Sequence, residues 1–268
     1  MTAAAEAEAT INRSLETAWQ LERRNIEFGK DIDWTLERCC GNEEIAFITL
    51  FGIFFIVDFL IWNTLLAKPF KLIAVFAHEM SHAIACWWTG GSVEAIQVYD
   101  NEGGVTRYRG GCRCCIIPAG YIGGAFWGGL FVTLSGNRIA ATVAASLMIL
   151  ALLITLCYSP NRTILSLSLG FVVLTGAAIA IEWFVFEPFL AYVTLFYGVF
   201  VGVFSVYDVY DDLIVRTVRG SDAHACNQLI PCCLPRCVGV QFALVAICFQ
   251  ILGLYGALVW ITSSKEGP

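Results

Sequence analysis

Residues 70–88 read FKLIAVFAHEMSHAIACWW, an apolar run with Lys71 near its start and His78, Glu79 and His82 at its centre. Its 19 residues approach the roughly 20 needed to cross a bilayer. In lipid every backbone N–H and C=O must be satisfied within the segment, so the run reads as a helix. On a helix, positions i and i+4 share one face, which sets His78 beside His82. Two imidazoles so placed can grip one zinc ion. Glu79 lies about 100° around the helix from His78, near enough to reach a water at the metal. With three histidines and fourteen glutamates in the chain, chance yields a His-Glu-x-x-His string with a probability of about 0.002. Ionisable groups inside a membrane are costly and usually functional. The pair is therefore read as metal ligands rather than as buried histidines satisfied by neighbouring helices.

The rest of the chain supports a membrane setting. Of its 268 residues, 58% are hydrophobic and only 14% charged, against about 45–50% and 25% in soluble domains. Soluble, collagen-like, disordered and secreted disulfide-framework classes are excluded on that ground. Seven apolar segments stand out, at 45–66, 70–88, 115–134, 139–158, 163–181, 188–207 and 238–262. The expected fold is an all-α polytopic membrane protein of about seven transmembrane helices, with a metallopeptidase-like body over 45–262 and a short tail at 263–268. Residues 1–44 precede it as a cytosolic segment, in which Ile11, Leu15, Ala18 and Trp19 mark one face of an amphipathic helix lying on the membrane or the body. This segment lacks an apolar core, so the first span is expected to act as the insertion signal.

Charge sets orientation. The net charge is −6, nearly all of it in residues 1–44, and no basic arm points to nucleic acid. Placing the N-terminus in the cytosol puts twelve of the sixteen Lys and Arg residues on that side, as the positive-inside rule requires, and leaves the C-terminus on the opposite side. Nine of the twelve cysteines then lie in or beside cytosolic segments, where structural disulfides are not expected. The clusters Cys112-Arg-Cys114-Cys115 and Cys226 to Cys237 are candidates for a second zinc site; S-palmitoylation at Cys232, Cys233 or Cys237 is the favoured reading. Asn161-Arg162-Thr163 spells a glycosylation sequon that would lie tight against the membrane and stay unused. Asp58, in the first span, is expected to hydrogen-bond another helix.

Residues 91–111 differ from the spans. Val93, Ala95 (or Ile96) and Val98, then Val105 and Tyr108, flank Asp100-Asn101-Glu102-Gly103-Gly104, which predicts a β-hairpin directly after the His-Glu-x-x-His helix. A catalytic zinc needs a third protein ligand. Asp208, Asp211 and Asp212 share a helical face at the end of the sixth span, and Asp208, the most embedded, is favoured; Asp211, Asp212 and Asp222 are the alternatives. The run Pro118 to Gly129 carries five glycines that permit close helix approach, and its Pro118, Gly120, Gly123 and Gly124 are candidates to line a substrate cleft. An extended substrate could then pair with the edge of the hairpin.

His78-Glu79-Met80-Ser81-His82-Ala83, the hairpin with Glu102-Gly103-Gly104-Val105-Thr106, and Pro118-Ala119-Gly120-Tyr121-Ile122-Gly123 together resemble the short membrane metallopeptidases related to site-2 protease, in their small B-like branch of fungi, plants and bacteria. Ser205-Val206-Tyr207-Asp208 and Ser221-Asp222-Ala223 resemble that branch's downstream motifs. The resemblance covers roughly 70–260. It implies an intramembrane zinc endopeptidase acting on membrane-protein substrates within the lipid bilayer, with His78 and His82 as ligands, Glu79 as acid/base and a downstream aspartate as third ligand. Three features depart from the pattern: there is no Leu-Asp-Gly motif, Ser81 stands where a glycine is usual, and no PDZ-like insertion is present. Substrate selection then falls to another part of the chain, to an adaptor protein or to a homo-oligomer. Two rival readings are a catalytically silent scaffold or chaperone that keeps the fold, and a zinc-handling transporter, for which no inverted repeat is visible.

Overall fold

The computed structural model describes residues 34–36, 39–158, 160–210, 222–229 and 234–264. The expected amphipathic helix within 1–33 and the candidates Asp211, Asp212, Cys232 and Cys233 lie outside them. The described elements are helices α1 (Asn42–Ile61) and α2 (Ala67–Trp88), strands β1 (Ser92–Val98) and β2 (Gly104–Arg109), then helices α3 (Arg113–Leu134), α4 (Arg138–Thr155), α5 (Arg162–Phe184), α6 (Phe189–Tyr210), α7 (Asp222–Leu229) and α8 (Pro235–Ser264). An all-α polytopic membrane fold with one small hairpin is the result.

Among the described residues six helices are long and apolar enough to cross a membrane: α1, α3, α4, α5, α6 and α8. The seventh expected span, α2, has the length at 22 residues but not the apolarity, because Lys68, Lys71, His78, Glu79 and His82 all lie on it. Most of those polar side chains are turned into the protein rather than outward. Lys71, Glu79 and His82 are buried, so the cost of placing them in lipid is avoided. The truly apolar helices do the reverse. Along α1, Ile56, Phe59 and Leu60 are exposed, and along α5 Leu169, Val173 and Leu174 are too. Such continuous exposed apolar faces are what lipid contact requires and water penalises.

At the centre stands α3, packed on α2, α6 and α8. Its glycines allow this. A Cβ at Gly129 would overlap the backbone of Phe249 on α8, and one at Gly128 would press on Gly198 and Gly202 of α6. At the far corner Arg138 salt-bridges the buried Glu182 at 3.0 Å and the exposed Glu187 at 3.2 Å, clamping α4 to the end of α5. Asp58 is fully buried, but its carboxylate oxygens have no hydrogen-bond partner among the described residues, so the expected interhelical bond is not formed there. Cys39 and Cys40 are joined as a disulfide, contrary to the expectation for that segment. A bridge between chain neighbours closes almost no loop and so fixes little of the fold.

The hairpin forms where expected. Its antiparallel register pairs Val98 with Gly104, Ile96 with Thr106 and Ala95 with Arg107, with an irregularity between Val93 and Ala95. Glu102 takes a positive φ of 64° in the turn. The outer edge of β1 is occupied: the N–H of Ile96 donates to the Tyr158 carbonyl at 3.2 Å, and Asn161 Nδ2 donates to the Val98 carbonyl at 2.7 Å. Asn161 also caps α5, its Oδ1 accepting from the N–H of Ile164 at 3.1 Å. The sequon asparagine thus has both side-chain atoms engaged, and the hairpin and the α4–α5 connection lie on one side of the molecule.

Candidate metal centre

The helix α2 presents His78 and His82 one turn apart, as the i, i+4 spacing dictates. Their Nε2 atoms stand 3.1 Å from each other. The third group is Asp222, in the first turn of α7: its Oδ2 is 2.9 Å from His78 Nε2 and 3.0 Å from His82 Nε2. Among the described residues this is the one group of three or more His, Cys, Asp or Glu side chains close enough to hold a metal ion. Three ligands around a tetrahedral zinc, at bond lengths of about 2.0–2.2 Å, sit about 3.3 Å apart. The observed triangle is a little tighter and fits such an ion with small outward shifts. The donor set, two imidazoles and one carboxylate, is that of a catalytic zinc.

Other contacts fix the orientation of each ligand. His82 Nδ1 donates to the Ile116 carbonyl on α3 at 2.7 Å, which leaves Nε2 as the ligating nitrogen. A backbone acceptor on the far ring nitrogen is the usual device for setting a ligand's tautomer. The ring of Tyr121 meets that of His78 edge-on at 5.0 Å. Burial opposes ionisation of Asp222, but the two facing imidazoles outweigh it and hold its carboxyl below the usual carboxylate range. Gly120 lies directly over the pair: a Cβ there would overlap both imidazole Nε2 atoms.

Glu79 is buried, and Thr106 of β2 holds it twice. Thr106 Oγ1 donates to Glu79 Oε2 at 2.6 Å and lies 2.9 Å from the Glu79 backbone carbonyl. Gly104 leaves room for the carboxylate, since a Cβ there would overlap it. The three candidate ligands, Glu79 and Thr106 open on one cavity of about 440 Å³, lined by His78, Glu79, His82, Asp208, Asp222, Tyr121 and the strand Gly104 to Thr106.

The sequence-expected residues distribute as follows. His78, Glu79 and His82 meet at the cavity, and so does Asp222. Asp208 lines the same cavity but is outside the ligand triangle. Of the expected cleft residues, Gly120 is at the imidazoles, Gly123 packs on Ser81, Gly124 faces the Ser205 hydroxyl, and Pro118 sits in the second turn of α3. Among the described residues Cys226 and Cys237 do not join Cys112, Cys114 and Cys115 in a metal-sized group; Cys237 is exposed near the start of α8. Sequence reasoning missed Thr106, Gly104 and the Ile116 carbonyl. For Thr106 one signal was present: alternation along β2 turns Gly104, Thr106 and Tyr108 inward together.

A family model described as Peptidase M50B-like matches residues 51–253. None of the curated proteins and none of the solved structures compared with the chain matches it.

Proposed function

The chain belongs to the Peptidase M50B-like family, and on that premise we propose that it is an intramembrane zinc endopeptidase that cuts membrane-embedded substrates. The observation that supports this most is the convergence of His78, His82 and Asp222 within 2.9–3.1 Å beside a buried glutamate, in a predominantly apolar bundle. His78 Nε2, His82 Nε2 and Asp222 Oδ2 would hold the ion. Bound there, zinc supplies a Lewis acid that polarises a peptide carbonyl and acidifies water. Glu79 accepts the proton from the attacking water and returns it to the leaving amine. Thr106 keeps the carboxylate aimed into the cavity throughout, and Gly120 keeps the space over the ligands clear.

The hairpin serves substrate binding. Ile96 and Val98 direct backbone groups away from β2, to Tyr158 and Asn161. Antiparallel pairing alternates, so their partners Thr106 and Gly104 direct theirs away from β1, along the edge that borders the cavity. An extended peptide can add to that edge as a third strand and lie across the ligands. A transmembrane substrate must unwind locally to do so, which restricts cleavage to segments that tolerate it. With α2 counted as a seventh crossing and the N-terminus in the cytosol, the site lies toward the cytosolic leaflet. The test is cleavage of a single-span substrate in proteoliposomes. Turnover by the wild-type chain, abolished by chelator and by Glu79→Gln, supports the reading; turnover that survives both contradicts it.

A further inference from the structure

Cys112 and Cys115 stand three residues apart, a Cys-x-x-Cys spacing hidden within the run Cys-Arg-Cys-Cys. Cys112 is the N-cap of α3, and Cys115 lies in its first turn. Their sulfurs are 3.4 Å apart, both side chains are exposed, and so is that of Cys114 between them. A disulfide needs a separation of about 2.05 Å, so a small tightening of one helical turn closes the gap. We propose that Cys112 and Cys115 form a reversible dithiol/disulfide site whose co-substrate is a low-molecular-weight disulfide of the glutathione class.

The chemistry follows from the geometry. Cys112 sits at the helix N-terminus, where backbone N–H groups favour a thiolate; the hydrogen bond from Cys115, and then backbone contacts, lower its thiol from the usual value. As thiolate, Cys112 attacks one sulfur of the small disulfide, forming a mixed disulfide and releasing one thiolate, which takes up a proton. Cys115 then loses its proton and attacks the Cys112 sulfur, closing the protein disulfide and releasing the second small thiol. The two protein sulfurs give up two electrons, and the small disulfide gains them. Cys114 also contacts Cys112, but Cys115 is one helical turn on, with its sulfur 3.4 Å from that of Cys112, and it serves as the resolving thiol.

The site is not isolated from the rest of the fold. The Cys112 N–H donates to Thr89 Oγ1 at 3.1 Å, at the C-terminal cap of α2. The Cys112 carbonyl accepts from Ile116 at 3.0 Å, and Ile116 is the residue whose carbonyl holds His82. Tightening the turn therefore acts on the corner where α2 and α3 meet.

The test uses the full chain in detergent, equilibrated with reduced and oxidised glutathione at several ratios, alkylated and mapped by mass spectrometry. In wild type and in Cys114→Ser, the peptide spanning Cys112 to Cys115 is expected to lose two hydrogens as the ratio turns oxidising and to recover them with dithiothreitol. In Cys115→Ser, Cys112 is expected to stop at the glutathione adduct. Independent adducts on Cys112, Cys114 and Cys115 in wild type, or a bridge that persists in Cys115→Ser, would overturn the proposal. Each exposed thiol-to-hydroxyl change leaves the core untouched, and a melting curve for every variant confirms that the comparison is between folded proteins.

Discussion

Glu79 accepts its best hydrogen bond from Thr106, at 2.6 Å, and that contact makes a prediction distinct from loss of the glutamate itself. Positioned acid/base groups contribute roughly 10²–10⁴-fold, so Glu79→Gln should lose activity on that scale while keeping its metal. Thr106→Val should lower kcat by about 10-fold with KM little changed, and Thr106→Ser should restore it, since only the hydroxyl is needed; equal loss in both variants would contradict the positioning role. Metal retention should fall on acidification. Imidazole ligates only when neutral, and its ordinary pKa is about 6.5. Asp222, held below the usual carboxylate range after burial is outweighed by the imidazoles, stays charged throughout that window, so its contribution persists until far more acidic pH. Zinc content measured after dialysis should therefore hold near pH 8 and drop below about pH 6; retention through about pH 4 would contradict it. At this scale the sequence was legible where chemistry is local. His78, Glu79 and His82 are spelled within one helical turn. Asp222 is 144 residues from His78 on an 8-residue helix that carries no apolar signal, so depth along a span favoured Asp208 instead, and both reach the same cavity.

Among the elements, the hairpin and α3 decide what the centre can do. The turn signal Asp100 to Gly104 and the alternation around it were readable, and β1–β2 follows them. What pairing parity adds is direction: the edge of β2 at Gly104 and Thr106 borders the cavity. A peptide substrate N-methylated at alternate residues should accordingly show a period-two pattern, with methylation on one set raising KM at least 10-fold and on the other set leaving it nearly unchanged. A uniform effect would argue against strand addition. The glycines of α3 were read as a close-packing face, and Gly128 and Gly129 fill that role against α6 and α8. Gly120 differs, since what it admits is a pair of imidazoles. Gly129→Val should destabilise by overpacking, on the order of 1–3 kcal/mol, read as a lower melting temperature; Gly120→Val should instead lose zinc at a smaller thermal cost.

For the whole molecule, hydropathy located the long helices to within a few residues, with the largest slip at the end of α1, which stops at Ile61 rather than 66, and it gave no sign of the short α7. Helix α1 begins at Asn42 rather than 45 because Glu43 and Glu44 suit a helix N-terminus, a preference an apolarity scan discounts. Hydropathy could not rank α2, whose polar residues are hidden only once α3, α6 and the hairpin surround it. The hydrogen bonds from β1 to Tyr158 and Asn161 place the hairpin and the α4–α5 connection on one membrane side. A membrane-impermeant maleimide should therefore label Cys112 and Cys157 from the same side, the cytosolic one on the proposed orientation, and labelling from opposite sides would break the topology. The central claim is that His78, His82 and Asp222 hold a catalytic zinc, and the most direct measurement is zinc stoichiometry on the detergent-purified chain and its variants. About one zinc per chain is expected in wild type, Glu79→Gln and Asp208→Asn, with loss in His78→Ala and Asp222→Asn. Absence of zinc from the wild-type chain, or its retention in Asp222→Asn with loss in Asp208→Asn, would contradict the account.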